Sequence, residues 1–153
     1  MLIYHGSRET VENPEIRTAR YYKDFGFGFY CTLIRPQAER WAVRFSGEGV
    51  VNIYEYEPDP ALKLLSFSEM TEEWLDFIVA CRTGNPHNYD IVEGPMANDT
   101  IFNYVQDYVD GNITRSAFWE LARFKKPTHQ ISFHTPEALH TLRFVKGEIV
   151  HEE

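Results

Sequence analysis

The stretch GFGFYCTLIRPQAERWAVRF, residues 26–45, decides how the fold is read. Its segment 28–32 (GFYCT) is aromatic and β-branched, the composition of a strand. Pro36 then suits the first position of a helix over 36–45, where the absent N–H has no helical partner to lose. In 28–32, Tyr30 and Thr32 share one face, and Phe29 and Cys31 share the other.

Working outward, residues 2–5 (LIYH) read as a short first strand ending at Gly6. Residues 8–27 read as irregular, punctuated by Pro14, Lys23, Asp24 and Gly26, with a short helix over 15–22. Segments 49–57 (GVVNIYEYE) and 62–66 (LKLLS) read as strands on either side of Pro58 and Pro60. Thr71 reads as an N-cap, followed by Glu72 and Glu73 in a first turn where the helix dipole favours anions. Trp74, Phe77, Ile78 and Cys81 then recur at helical spacing to about residue 82. Residues 89–92 (YDIV) are expected as a strand stopped at Gly94-Pro95. Helices over 98–109 and 114–124 flank Asp110-Gly111-Asn112. Residues 128–133 (THQISF) read as a strand, Thr135-Pro136-Glu137 opens a helix over 136–143, and GEIVHEE forms an edge strand.

Strands therefore cluster early and late, with helices between them. That order predicts an α+β fold, one domain over 1–153 with a mostly antiparallel sheet, rather than a doubly wound one. Hydrophobic residues at 43% supply a real core and exclude disorder. A net charge of −8 repels polyanions, which argues against nucleic acid as a partner. The first residues do not form a signal peptide, and no apolar run reaches membrane-spanning length, so a cytoplasmic, non-membrane protein is expected. Cys31 and Cys81 form no CxxC and read as buried free thiols. The spacing of His129, His134 and His140 gives no metal-ligand ladder, so solvated or capping roles are expected and no metal is called.

Four short motifs carry chemistry: YHGSR (4–8), GFGFYCT (26–32), PQAERWA (36–42) and HQISFH (129–134). His5-Gly6-Ser7-Arg8 resembles the HGSR or HGT element of the poly(ADP-ribose) polymerase and diphtheria-toxin class of ADP-ribosyltransferases. Gly26-Phe27-Gly28-Phe29-Tyr30 resembles that class's GxGxY element, and Trp41 falls where the class places a second aromatic. The late strand resembles the one bearing the third signature residue, usually Glu, here Gln130. Bacterial ADP-ribosyltransferase-like domains of uncharacterised function carry similar HGS, DFGxGFY and QISFH pieces.

The resemblance implies a split, mostly antiparallel sheet and NAD as substrate. It implies that the Gly6 backbone pairs with the nicotinamide carboxamide and that the ring sits between Tyr30 and Trp41, whose π-faces attract a cationic pyridinium. It gives His5, with Ser7, the adenosine ribose hydroxyls, and Arg8 the pyrophosphate, with Arg17, Arg20 and Lys23 as competitors. His5, Tyr30 and Gln130 are then the catalytic set. Breaking the nicotinamide–ribose bond passes through an oxocarbenium-like state, as glycoside hydrolysis does. A neutral Gln130 bonds the ribose 2′-hydroxyl without opposing that charge. Losing such a partner costs about 10²–10³ in rate. Asp90, Glu93 and Asp99 are candidate supporting carboxylates, Asp99 foremost, although Asp99 equally suits a helix cap. The implied activity is mono-ADP-ribosyl transfer to a protein or small acceptor by a toxin or effector module, with a small antitoxin as partner. The alternatives are an NAD- or ADP-ribose-binding module without turnover, and an NAD glycohydrolase.

Overall fold

A computed structural model describes residues 1–16, 25–96, 99–123 and 128–152, the side chains at 96 and 99 excepted. Seven strands and five helices follow in the order β1 (Leu2–Ser7), β2 (Phe29–Cys31), α1 (Arg35–Val43), β3 (Glu48–Tyr56), β4 (Leu64–Ser66), α2 (Glu72–Arg82), β5 (Ile91–Met96), α3 (Asp99–Val109), α4 (Arg115–Ala122), β6 (Thr128–Phe133), α5 (Pro136–Leu139) and β7 (Leu142–His151). The fold is α+β. One sheet has the order β1-β3-β7 and the other β2-β6-β5-β4, and every pairing is antiparallel except β4 with β5.

The period-2 pattern of the strands stacks four layers. Ala38 of α1 packs on Val51 and Ile53, on the outer face of the three-stranded sheet. The opposite faces of the two sheets meet around Ile3, Phe29, Cys31, Tyr54, Tyr56, Ile91, Ile131 and Phe133. The far face of the four-stranded sheet carries Tyr30 and Val92 against Trp74, Ile78, Ile101, Val105 and Phe118 of α2, α3 and α4. Neither cysteine is in a disulfide, both are buried, and burial pushes the Cys31 thiol well up.

Helix α1 lies so close to its sheet that two glycines are required. A Cβ on Gly6 would stand 2.2 Å from the Ala38 carbonyl oxygen, and one on Gly49 would stand 2.0 Å from the Ala42 carbonyl oxygen. Thr71 caps α2 as expected, accepting from the Trp74 N–H at 3.2 Å.

Three expectations change. The strand expected over 89–92 runs on through Gly94 and Pro95 to Met96. Pro95 is tolerated because its nitrogen faces away from β6. The alternation that pairs Gly94 with Gln130 turns the Pro95 backbone outward, and its carbonyl accepts from Trp74 Nε1 at 2.9 Å. The helix expected over 136–143 ends at Leu139, because residues 142–151 pair with β3 as a ten-residue edge strand. The helix expected over 15–22 falls mostly outside the described residues, and residues 15 and 16 are not helical.

Candidate functional site

The two sheets touch edge to edge at one point. Tyr4 and Thr32 form an isolated antiparallel bridge, with N–H to O distances of 2.9 and 2.8 Å. Continuing that register would set Gly6 opposite Tyr30, but the strands part there. Because the backbone groups of Tyr4 face β2, those of Gly6, two residues on, face the same way. The Gly6 N–H and C=O thus point into the opening, and among the described residues neither has a partner.

His5 stands at the fork. Its Nδ1 lies 2.6 Å from the Tyr30 carbonyl oxygen, so that nitrogen carries the proton, and its ring packs on Phe29 with centroids 4.2 Å apart. His5 and Tyr30 are therefore brought together. Trp41 is half-buried on α1, with its Cβ close beside Gly6. A ligand's approach would favour glycine at position 6, yet the backbone of α1 already demands it. Ser7 is half-buried and its hydroxyl oxygen lies 3.4 Å from the Glu9 nitrogen. Arg8 is exposed, with its guanidinium 4.9 Å from the centre of the Phe45 ring. Arg17, Arg20 and Lys23 lie outside the described residues.

Gln130 lies on β6, backbone-paired with Gly94. Ile131 and Phe133 enter the inter-sheet core, so Gln130 leaves from the opposite face, the one that also carries Tyr30 and Ser132. It is 1% exposed, and among the described residues its Nε2 has no hydrogen-bond partner. A buried amide donor without an acceptor costs about 1–3 kcal/mol, so it requires an explanation.

The residues around Gln130 are firmly fixed. Gln37 of α1 donates from Nε2 to the His129 carbonyl at 2.7 Å, and its Oε1 accepts from the His129 N–H at 3.1 Å. One side-chain amide thus occupies the edge of β6 beyond the end of β2. His129 Nε2 lies 3.0 Å from Glu93 Oε1, while its Nδ1 accepts from the Leu33 N–H at 3.3 Å.

Of the candidate carboxylates, Asp90 is a structural tie. It accepts from the Lys63 N–H at 2.8 Å and the Thr135 hydroxyl at 2.7 Å, and these bonds hold its carboxyl below the usual range. Glu93 pairs with His129 and, by alternation, leaves the sheet from the face opposite Gln130. Asp99 begins α3, but its side chain lies outside the described residues.

His134, expected in a solvated or capping role, is placed otherwise, and His87 is a second histidine bonded to a backbone carbonyl. His134 is not solvated: its Nδ1 lies 2.7 Å from the Phe27 carbonyl oxygen and its Nε2 2.7 Å from Ser132 Oγ. Burial pulls its pKa down to about 4. His87 bonds the Phe25 carbonyl through Nε2 at 2.9 Å. Two cavities, of about 360 and 480 Å³, are lined by none of His5, Gly6, Tyr30, Trp41 and Gln130. The first is bounded by Phe67, Met70, Gly94, Pro95, Thr128 and His129, the second by Glu12, Pro14, Pro136 and His140 among others. Among the described residues no cluster of His, Cys, Asp and Glu could hold a metal ion, and no helix is long and apolar enough to cross a membrane.

The family model described as "Protein of unknown function (DUF3990)" matches residues 1–144, and the chain belongs to that family. No curated protein matches it.

Proposed function

We propose that the fork between β1 and β2 binds NAD and that the protein transfers a single ADP-ribosyl group from it, releasing nicotinamide, inside a cytoplasm. The observation that carries the reading is the pairing of two unmet polar features near that fork. One is the open N–H and C=O of Gly6. The other is the buried, unpartnered Nε2 of Gln130, one strand away. A carboxamide has one acceptor and two donors, the complement of a single residue's backbone N–H and C=O. A ribose hydroxyl would meet the Gln130 donor.

The chemistry then divides among named groups. Gly6 orients the nicotinamide, with Trp41 beside it. His5 contributes an imidazole whose tautomer is set by the Tyr30 carbonyl, so its Nε2 is the nitrogen with an acceptor lone pair, suited to a ribose hydroxyl. Gln130 steers the ribose, and because it is neutral it aids departure of nicotinamide by orientation rather than by charge. The C–N bond breaks with its electron pair going to nicotinamide. The acceptor's nucleophile then bonds C1′ and loses its proton. A single transfer fits this neutral residue better than chain elongation does.

The neutrality of position 130 also favours a second reading, an NAD- or ADP-ribose-binding module without turnover. Radiolabelled NAD incubated with the protein and a cell lysate separates the outcomes. Labelled protein supports transfer, free ADP-ribose with nicotinamide supports hydrolysis, and calorimetric binding without turnover supports the module. No NAD binding, with no change on His5→Ala, defeats all three. A protein or small acceptor and an antitoxin-like partner are the companions this reading implies.

A further inference from the structure

Three consecutive carbonyls in the turn before β2 are each held by a side chain. His87 Nε2 lies 2.9 Å from the Phe25 oxygen. The Tyr30 hydroxyl donates to the Gly26 oxygen. His134 Nδ1 lies 2.7 Å from the Phe27 oxygen. The Phe25 N–H returns a bond to the Tyr30 hydroxyl oxygen at 3.2 Å. These side chains come from the segment before β5, from β2 and from the end of β6, so separated parts of the chain converge on one turn.

The tautomers agree with this arrangement. His87 Nδ1 accepts from the Tyr89 N–H at 3.1 Å, leaving Nε2 to donate. At His134 the Phe27 oxygen can only accept, so Nδ1 carries the proton, and Nε2 faces the Ser132 hydroxyl at 2.7 Å, which also lies 3.1 Å from the Val92 carbonyl oxygen. The two imidazoles meet edge to face, with centroids 4.5 Å apart, and the Tyr30 ring lies edge-on to His134 at 6.3 Å.

The turn's own glycines fit the same arrangement. Gly26 has φ 87°, which presents its carbonyl to Tyr30. A Cβ on Gly28 would stand 2.8 Å from His134 Nδ1. Gly26 is thus required by its positive φ, and Gly28 by the closeness of His134 and of the Phe133 carbonyl.

We propose that His87 and His134 are positioning residues that, together with the Tyr30 hydroxyl, lock the 25–28 turn and so fix Tyr30 and the edge of β2 against which His5 is held. This rests on the NAD reading above for its consequence, although the lock itself does not need a ligand. Neither imidazole touches the dinucleotide in this scheme. Each acts through the Tyr30 backbone, whose carbonyl sets the His5 ring.

The test uses side-chain geometry. In asparagine the amide nitrogen falls where histidine has Nδ1, and in glutamine it falls where histidine has Nε2. His134→Asn and His87→Gln therefore keep the donor, whereas His134→Leu and His87→Leu remove it. Amide hydrogen exchange over residues 25–30 in ligand-free protein reads the lock, and calorimetry with NAD reads its consequence. Loss of either bond should speed exchange in that segment and weaken NAD binding about three- to tenfold, with the asparagine and glutamine variants near wild type. Circular dichroism checks that each variant is folded, and should His134→Leu fail to fold, the His87 pair decides. Unchanged exchange in His87→Leu overturns the lock. Faster exchange with unaltered NAD affinity overturns the positioning role. Wild type that binds no NAD, while exchange still responds as stated, sinks the NAD reading and leaves the lock standing.

Discussion

Replacing Gln130 with methionine removes a buried amide and keeps nearly the same volume. The wild-type donor is unpartnered and the residue is 1% exposed, so removing it relieves a desolvation penalty of about 1–3 kcal/mol. Repacking an apolar side chain of similar size costs up to about 1.5 kcal/mol. The expected net gain is roughly 1 kcal/mol, which raises the melting temperature of a chain this long by about 2–4 °C. The same change would remove the proposed hydrogen bond to the ribose. Wild type at one hundred times its dissociation constant for NAD should gain about 2.7 kcal/mol by mass action, and the variant should gain far less. Thermal unfolding with and without NAD measures both effects in one series. A variant that melts lower than wild type without ligand, or that keeps the full NAD-dependent rise, would refute the account of Gln130 as a residue kept for a ligand at a cost in stability.

Gly49→Ala sets a Cβ 2.0 Å from the Ala42 carbonyl oxygen, so α1 must shift. Urea denaturation should show a loss of about 1–3 kcal/mol or more, and an unchanged midpoint would contradict the close seating of the helix. His134 has a folded pKa near 4, below its ordinary value of 6.5. The unfolded chain therefore takes up this proton first on acidification. Stability present above about pH 6.5 should fall progressively toward pH 4, by up to about 3 kcal/mol. His134→Asn should flatten that part of the profile, and identical profiles for the two proteins would exclude His134 as its source. Gln37→Leu should cost about 2–4 kcal/mol, because it strands the His129 N–H and carbonyl, and chemical denaturation would detect it.

Local pattern carried much of this structure. The period-2 reading of residues 28–32 separated Tyr30 from Phe29 and Cys31 as the two sheet faces do, since a strand's alternation is written in adjacent residues. Thr71 and Thr135 were recognisable as caps for the same reason, because each bond spans three positions. What escaped depends on distant chain. Pro95 reads as a strand stop unless one knows that its nitrogen points away from β6. Residues 140–143 follow a good helix start, but the ladder with β3 outweighs it. The His5–Tyr30 neighbourhood was suggested by motif order, whereas Gln37 and His87 act across 92 and 62 positions and carry no local signal. His134 reads as a polar residue after a strand, and only the approach of Gly28 and the Phe27 carbonyl makes it an internal donor.

The Gln37 amide has a consequence for how the molecule meets other chains. A strand that outruns its neighbour leaves backbone groups bare, and these invite an extended peptide to add on. Here the helix contributes a single primary amide that imitates one peptide unit, so growth of the four-stranded layer stops at His129. An extended segment from another protein would find that position already taken, and the strand borders left to it among the described residues are those of β1, β4 and β7.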